Sequence, residues 1–298
     1  MEGDLAGQGP MWAAVGALYD VDDVVAAHAM ALDLGMGEGA WQLSFFRLVE
    51  AEAVSRKESR VVSLAPWLEF EYLPHEMRGF KAFSEAALEM CELVADRLGW
   101  EHAVQTRIAV LADDADAPWA TNPHGYHTVR KPYDKICLPA YLQDDLPEFR
   151  QAVAHEYAHV VTQGLTEGRA PRWLSEAVSV LAERSFDPKA ARALRDGAWL
   201  PPGPLEAAFA GDEEGENPEW SVWLAYQQSG AIGRYLKGLG DERRLGDLLR
   251  AHTGRTFWSR LAATMIGRSP TDQAMRKVYG MSVVEVFANA RAGLGVRS

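Results

Sequence analysis

The chain has 298 residues, 48% of them hydrophobic, and a formal net charge of −12 at pH 7; that length and apolar content support a good core in one large domain or two lobes. The negative charge and the absence of a basic cluster argue against nonspecific nucleic-acid binding. Two cysteines, Cys91 and Cys137, are too few for a disulfide scaffold and read as ordinary buried thiols.

Met1-Glu2-Gly3-Asp4-Leu5 shows no basic stretch leading into an apolar one, and no run of 18 apolar residues follows. A cytoplasmic protein without a membrane partner is therefore expected. Residues 21–34 and 40–54 carry helical patterns separated by Gly35-Met36-Gly37-Glu38-Gly39. They predict a helical hairpin over residues 1–58, set apart from the rest of the chain. Residues 60–64 and 68–73 look like strands on either side of Pro66. Residues 81–98 form an amphipathic helix with Phe83, Ala87, Met90, Leu93, Val94 and Leu98 inward, and residues 105–112 are the next strand. Residues 121–138 are rich in turn formers and end in Lys135-Ile136-Cys137-Leu138, a short β-type run. His124 and His127 in this segment read as polar surface, with lining of a cleft as the alternative.

The next helix carries chemistry. Ala154-His155-Glu156-Tyr157-Ala158-His159 is a His-Glu-x-x-His pattern. On a helix the two imidazoles lie about 40° apart on one face, one turn from each other, and can share a metal ion. Glu156 is then placed to touch a water on that metal. Asp144 and Asp145 offer N-cap oxygens, Pro147 suits the first turn, and Gly164 and Gly168 supply the stop. Phe149, Val153, Ala154, Tyr157, Ala158, Val160 and Val161 cover most of the circumference, leaving a stripe of Gln151, His155, His159 and Thr162. Such a helix belongs in a core, and two buried imidazoles need partners, which a shared cation supplies.

Pro171-Arg172-Trp173-Leu174-Ser175-Glu176-Ala177 opens a second helix. Zinc hydrolases commonly use two His and one carboxylate and leave the fourth position to water. Glu176, 17 residues beyond His159, is the candidate third ligand; a solvated helix-surface carboxylate is its alternative. With Glu176 following the His-Glu-x-x-His run, the sequence resembles the gluzincin superfamily. More narrowly, Trp173-Leu174-Ser175-Glu176-Ala177 resembles the Trp-Leu-x-Glu-Gly segment of the peptidase MA-like group. The resemblance runs from about residue 60 to the C-terminus. Ala177 stands where that group has Gly. Val180 stands where thermolysin-like members place an Asp that orients a histidine, so the support of the ligands must come from another residue.

The resemblance implies an α+β, zincin-like metallopeptidase. Residues 59–200 are its upper lobe of mixed sheet and helix, and residues 201–298 its helical lower lobe. It implies a zinc cofactor (Zn2+) held by His155, His159 and Glu176, and hydrolysis of a peptide or protein substrate by a metal-activated water with Glu156 as general base. A downstream Tyr stabilises the oxyanion in many gluzincins. Tyr226, in Tyr226-Gln227-Gln228-Ser229-Gly230, matches that helix; Tyr235 competes for the role, and aromatic packing is the alternative for Tyr226. Tyr226, Gly230 and Arg234 share a helical face, and Gly230 and Gly233 would admit another backbone. In gluzincins the strand before the metal helix, here Lys135-Ile136-Cys137-Leu138, is an exposed edge that pairs with an extended peptide.

Pro201, Pro202 and Pro204 mark a linker, and residues 243–252, 257–265 and 281–290 read as helices of the lower lobe. Two other functions remain open. One is a catalytically degenerate peptidase-like binding or scaffold module, against which the intact Glu156 argues. The other is a peptide deformylase, for which Cys137 lacks the surrounding motif.

Overall fold

The computed structural model of the chain describes residues 10–35, 40–75, 77, 79–112, 125–185, 187–209, 218–253 and 269–294. Two compact units emerge, Met1–Met90 with Val104–Glu156, and Cys91–Ala103 with Tyr157–Ser298. Among the described residues the chain is α+β, with a five-stranded mixed sheet and a majority of helix.

In the first unit, α1 (Pro10–Asp20), α2 (Val24–Asp33) and α3 (Ala40–Glu58) precede the sheet. The sequence pattern shows two helices here. The third, α1, is missed because Pro10 opens it without a polar cap and its first residues are apolar nearly all round. Trp12, Val15, Tyr19, Val24, Ala27, Phe45, Leu48 and Val49 from the three helices form one buried cluster. The strands are β1 (Arg60–Ala65), β2 (Leu68–Tyr72), β3 (Thr106–Leu111), β4 (Tyr126–Val129) and β5 (Asp134–Pro139), in the order β1-β2-β3-β5-β4. β1 and β2, the strands expected on either side of Pro66, pair as an antiparallel hairpin. β2, β3 and β5 run parallel, and β4 returns antiparallel to β5. The helix α4 (Phe80–Leu98) connects β2 to β3. It buries Phe83, Ala87, Val94 and Leu98 as predicted, whereas Leu93 is 37% exposed.

The expected edge strand is not at an edge. Lys135–Leu138 belongs to β5, which is internal, paired with β3 on one side and β4 on the other, and buried along its whole length. β4, Tyr126–Val129, is the terminal strand on that side. A short apolar run looks alike at an edge and in a sheet interior; only the partner strands decide, and parallel strands buried on both faces read as continuous runs.

β5 also carries a buried cation. Lys135 Nζ is 2.6 Å from Glu52 Oε2 and 3.2 Å from Asp22 Oδ1. Arg130 Nη2 is 2.6 Å from Glu52 Oε1, and its guanidinium lies 3.5 Å from the centre of the Tyr19 ring. Tyr19 and Tyr126 donate their hydroxyls to Glu52, Tyr133 donates to Asp22, and Arg56 bridges Asp22 and Glu71. The α1–α2 turn makes this possible, since Asp22 adopts φ +60° while Asp23 caps α2. Pairing and hydrogen bonding on this scale are what allow these charges to be buried.

The second unit is helical. α5 (Leu146–Thr166) runs through the division between the units and is followed by α6 (Arg172–Glu183), α7 (Pro188–Ala193), a π turn (Leu194–Ala198) and α8 (Pro202–Ala208). Then come α9 (Pro218–Gly238), α10 (Glu242–Arg250), α11 (Pro270–Tyr279) and α12 (Val283–Gly293). Pro201, Pro202 and Pro204, read as a linker, open α8 instead, with Pro202 at the first helical position where its missing N–H costs nothing. The helix expected over residues 257–265 and His124 both lie outside the described residues. Gly233 admits the backbone of α6: a Cβ there would collide with the Ala177 carbonyl oxygen. Both cysteines are free and buried, as expected. No helix among the described residues is long and apolar enough to cross a membrane.

Candidate metal centre

The helix α5 starts where its caps place it, with Asp145 Oδ1 accepting from the Glu148 N–H at 2.9 Å. Gly164 does not stop it. It lies inside the last turns, where a side chain would meet the Trp100 indole. Gly168, at φ +71°, makes the reversal and donates to the Gln163 carbonyl at 3.1 Å. Tyr157 is fully buried on α5, its hydroxyl 2.7 Å from His102 Nδ1. With that face anchored, the continuous helix presents His155, Glu156 and His159 within two turns. His155 is 9% and Glu156 2% exposed.

The reversal at Glu167 and Gly168 leads into α6, whose cap residue, Pro171, has no side chain to offer. Its first N–H groups are taken by a carboxylate 34 residues away: Glu206 Oε1 accepts from Arg172 N at 2.8 Å, and Glu206 Oε2 from Trp173 N at 3.1 Å. The apolar face of α6 buries Trp173, Leu174, Ala177, Val178 and Val180. Trp173 meets Phe287 of α12 edge-on, with ring centres 5.0 Å apart. This packing fixes Glu176, which is 3% exposed, with Oε2 3.5 Å from His159 Nε2 and Oε1 3.7 Å from Arg172 Nε.

His155, His159 and Glu176 each offer a ligand atom, and these atoms lie within 4.8 Å of one another. Two ligands on one tetrahedral zinc ion at roughly 2.1 Å stand about 3.4 Å apart, so the His159–Glu176 separation of 3.5 Å already suits zinc and the widest pair closes by about an ångström of side-chain movement. Two imidazole nitrogens and a carboxylate oxygen are also the donor set of open, hydrolytic zinc sites.

His127, the other loop histidine, is on β4 with Nε2 3.2 Å from Asp134 Oδ2, and is not part of this group. Tyr226 is half-buried on α9 and stacks edge-on against Phe209 at 5.2 Å. Phe209 in turn receives Arg172 through its carbonyl at 2.9 Å and its ring at 5.3 Å. Tyr226 is thus linked to Glu176 through Phe209 and Arg172. The Tyr235 hydroxyl is directed to Met281 Sδ at 3.7 Å. Gln227 and Gln228, beside Tyr226, brace the backbone: Gln227 accepts from Asp187 N, and Gln228 holds both N–H and carbonyl of Leu200.

Sequence reasoning missed Arg172, Ser175 and Glu206. Ser175 stands directly before Glu176, so a helix drawn from the sequence would have placed it near the ligands. Glu206 has no such signal, since its role depends on where α8 comes to lie. Comparison with protein-family models, curated proteins and solved structures gives no match for this chain.

Proposed function

We propose that the protein is a zinc-dependent metallopeptidase of gluzincin type with a zincin-like fold. The observation that carries this reading is the convergence of His155, His159 and Glu176 with Glu156 on the same helical turn. Zinc bound there supplies Lewis acidity, lowering the pKa of a water and polarising the scissile carbonyl. Glu156 accepts the proton of the attacking water and passes it to the departing amine. Tyr226 is the chain's donor for the oxyanion that develops on the carbonyl. An extended substrate would add to β4, the terminal strand among the described residues, rather than to β5, which is paired on both sides.

The test is cleavage of a broad peptide library by zinc-loaded wild type and Glu156→Gln. The wild type is expected to cut, and the variant to keep its zinc while losing at least about 10²-fold in rate. Equal cleavage by both proteins would remove Glu156 from the mechanism. A zinc-loaded wild type that cuts nothing would favour the binding-module reading.

A further inference from the structure

His159 has two ring nitrogens, and the structure separates their tasks. Nε2 faces the Glu176 carboxylate at 3.5 Å, while Nδ1 lies 2.8 Å from the Ser175 hydroxyl. A metal takes the lone pair of an imidazole nitrogen, so the ligating nitrogen carries no proton and the other one does. Ser175 is one residue before Glu176 on α6, so a single helical turn carries both a ligand and the partner of another ligand. Val180 is apolar and 3% exposed, and offers nothing to a ring nitrogen.

We propose that Ser175 is the positioning residue for His159. Its Oγ accepts Nδ1–H, which fixes the tautomer whose Nε2 lone pair points toward Glu176 and His155. A neutral hydroxyl does here what a carboxylate does where an Asp is present, without adding negative charge to the site. The ligand cluster therefore keeps the charge of one carboxylate and two imidazoles. This inference rests on the proposed metal centre for its purpose, but the tautomer belongs to the chain and can be read without zinc.

Two measurements test it. Long-range ¹H–¹⁵N spectra of zinc-free Glu176→Gln, which removes the carboxylate facing Nε2, taken where the His159 ring is neutral, should show the proton on Nδ1 with Ser175 in place or with Ser175→Thr. Ser175→Ala should lose that preference. Zinc affinity, measured by chelator competition, should fall about 10–100-fold in Ser175→Ala and be retained in Ser175→Thr. A proton on Nε2 in zinc-free Glu176→Gln overturns the proposal, as does an unchanged tautomer and affinity in Ser175→Ala. If the protein binds no zinc yet Ser175 still sets the tautomer, the metallopeptidase reading falls while the positioning role of Ser175 stands.

Discussion

Glu52 has no exposed side-chain surface and sits between Arg130 Nη2 and Lys135 Nζ, each 2.6 Å from one of its oxygens. Burial alone would raise its carboxyl pKa, but Lys135 and then Arg130 outweigh that effect and hold it down at about 2. Asp22 is likewise pushed up by burial and brought to about 2 by Lys135 and by hydrogen bonds from Tyr133 and Arg56. A carboxyl whose folded pKa lies below its ordinary value contributes stability above that ordinary value and loses it as pH falls through the folded one. For Glu52 the window runs from its ordinary 4.5 down to about 2. Glu52→Gln should therefore cost about 3–5 kcal/mol at neutral pH, because Arg130 and Lys135 lose their nearest counter-ion and are left to share Asp22, at 3.4 and 3.2 Å. The gap between variant and wild type should close as pH falls across that window. Denaturant unfolding as a function of pH measures both; a variant within about 1 kcal/mol of wild type at pH 7 would mean the pairs contribute little. None of this was visible in the sequence, because Asp22, Glu52, Arg130 and Lys135 are 30 or more residues apart except for the last two.

The candidate metal site depends on where one short element begins. α6 has no cap residue of its own, and Glu206 of α8 closes its first turn from outside. That turn leads through Arg172 and Ser175 into Glu176, so the cap acts on the candidate ligand and on the partner of His159 together. Glu206→Ala should destabilise the fold by about 0.5–2 kcal/mol, the range for losing a helix cap. It should also speed amide exchange at Arg172 and Trp173 relative to the middle of α6. Unfolding and hydrogen exchange on the same samples check this, and protection of those two amides equal to wild type would remove the role of Glu206. The prolines that begin α8 look like a linker when read alone, since three in four residues normally interrupt structure. Pro202 at the first helical position is the exception that local composition does not reveal.

At the scale of the whole molecule, the elements legible in the sequence are those whose period is strong or whose ends carry polar caps. α4 and α5, the β1–β2 hairpin and β3 fall within a few residues of their expected bounds. The run Ala154–His159 and Glu176 were legible for a related reason: an i, i+4 pair is fixed by helix geometry, and a return helix needs only a turn between them. What stayed hidden depends on tertiary placement, namely the internal position of β5, the charges gathered around Glu52, and the outside cap of α6. Ser175 falls between these cases, since its spacing was readable but its partner was not. The central claim is that His155, His159 and Glu176 hold one zinc ion, and metal analysis after zinc-replete preparation tests it most directly. About one zinc per wild-type chain is expected, with Glu176→Ala losing stoichiometric binding; a metal-free wild type, or a Glu176→Ala variant that binds zinc as tightly, would contradict the account.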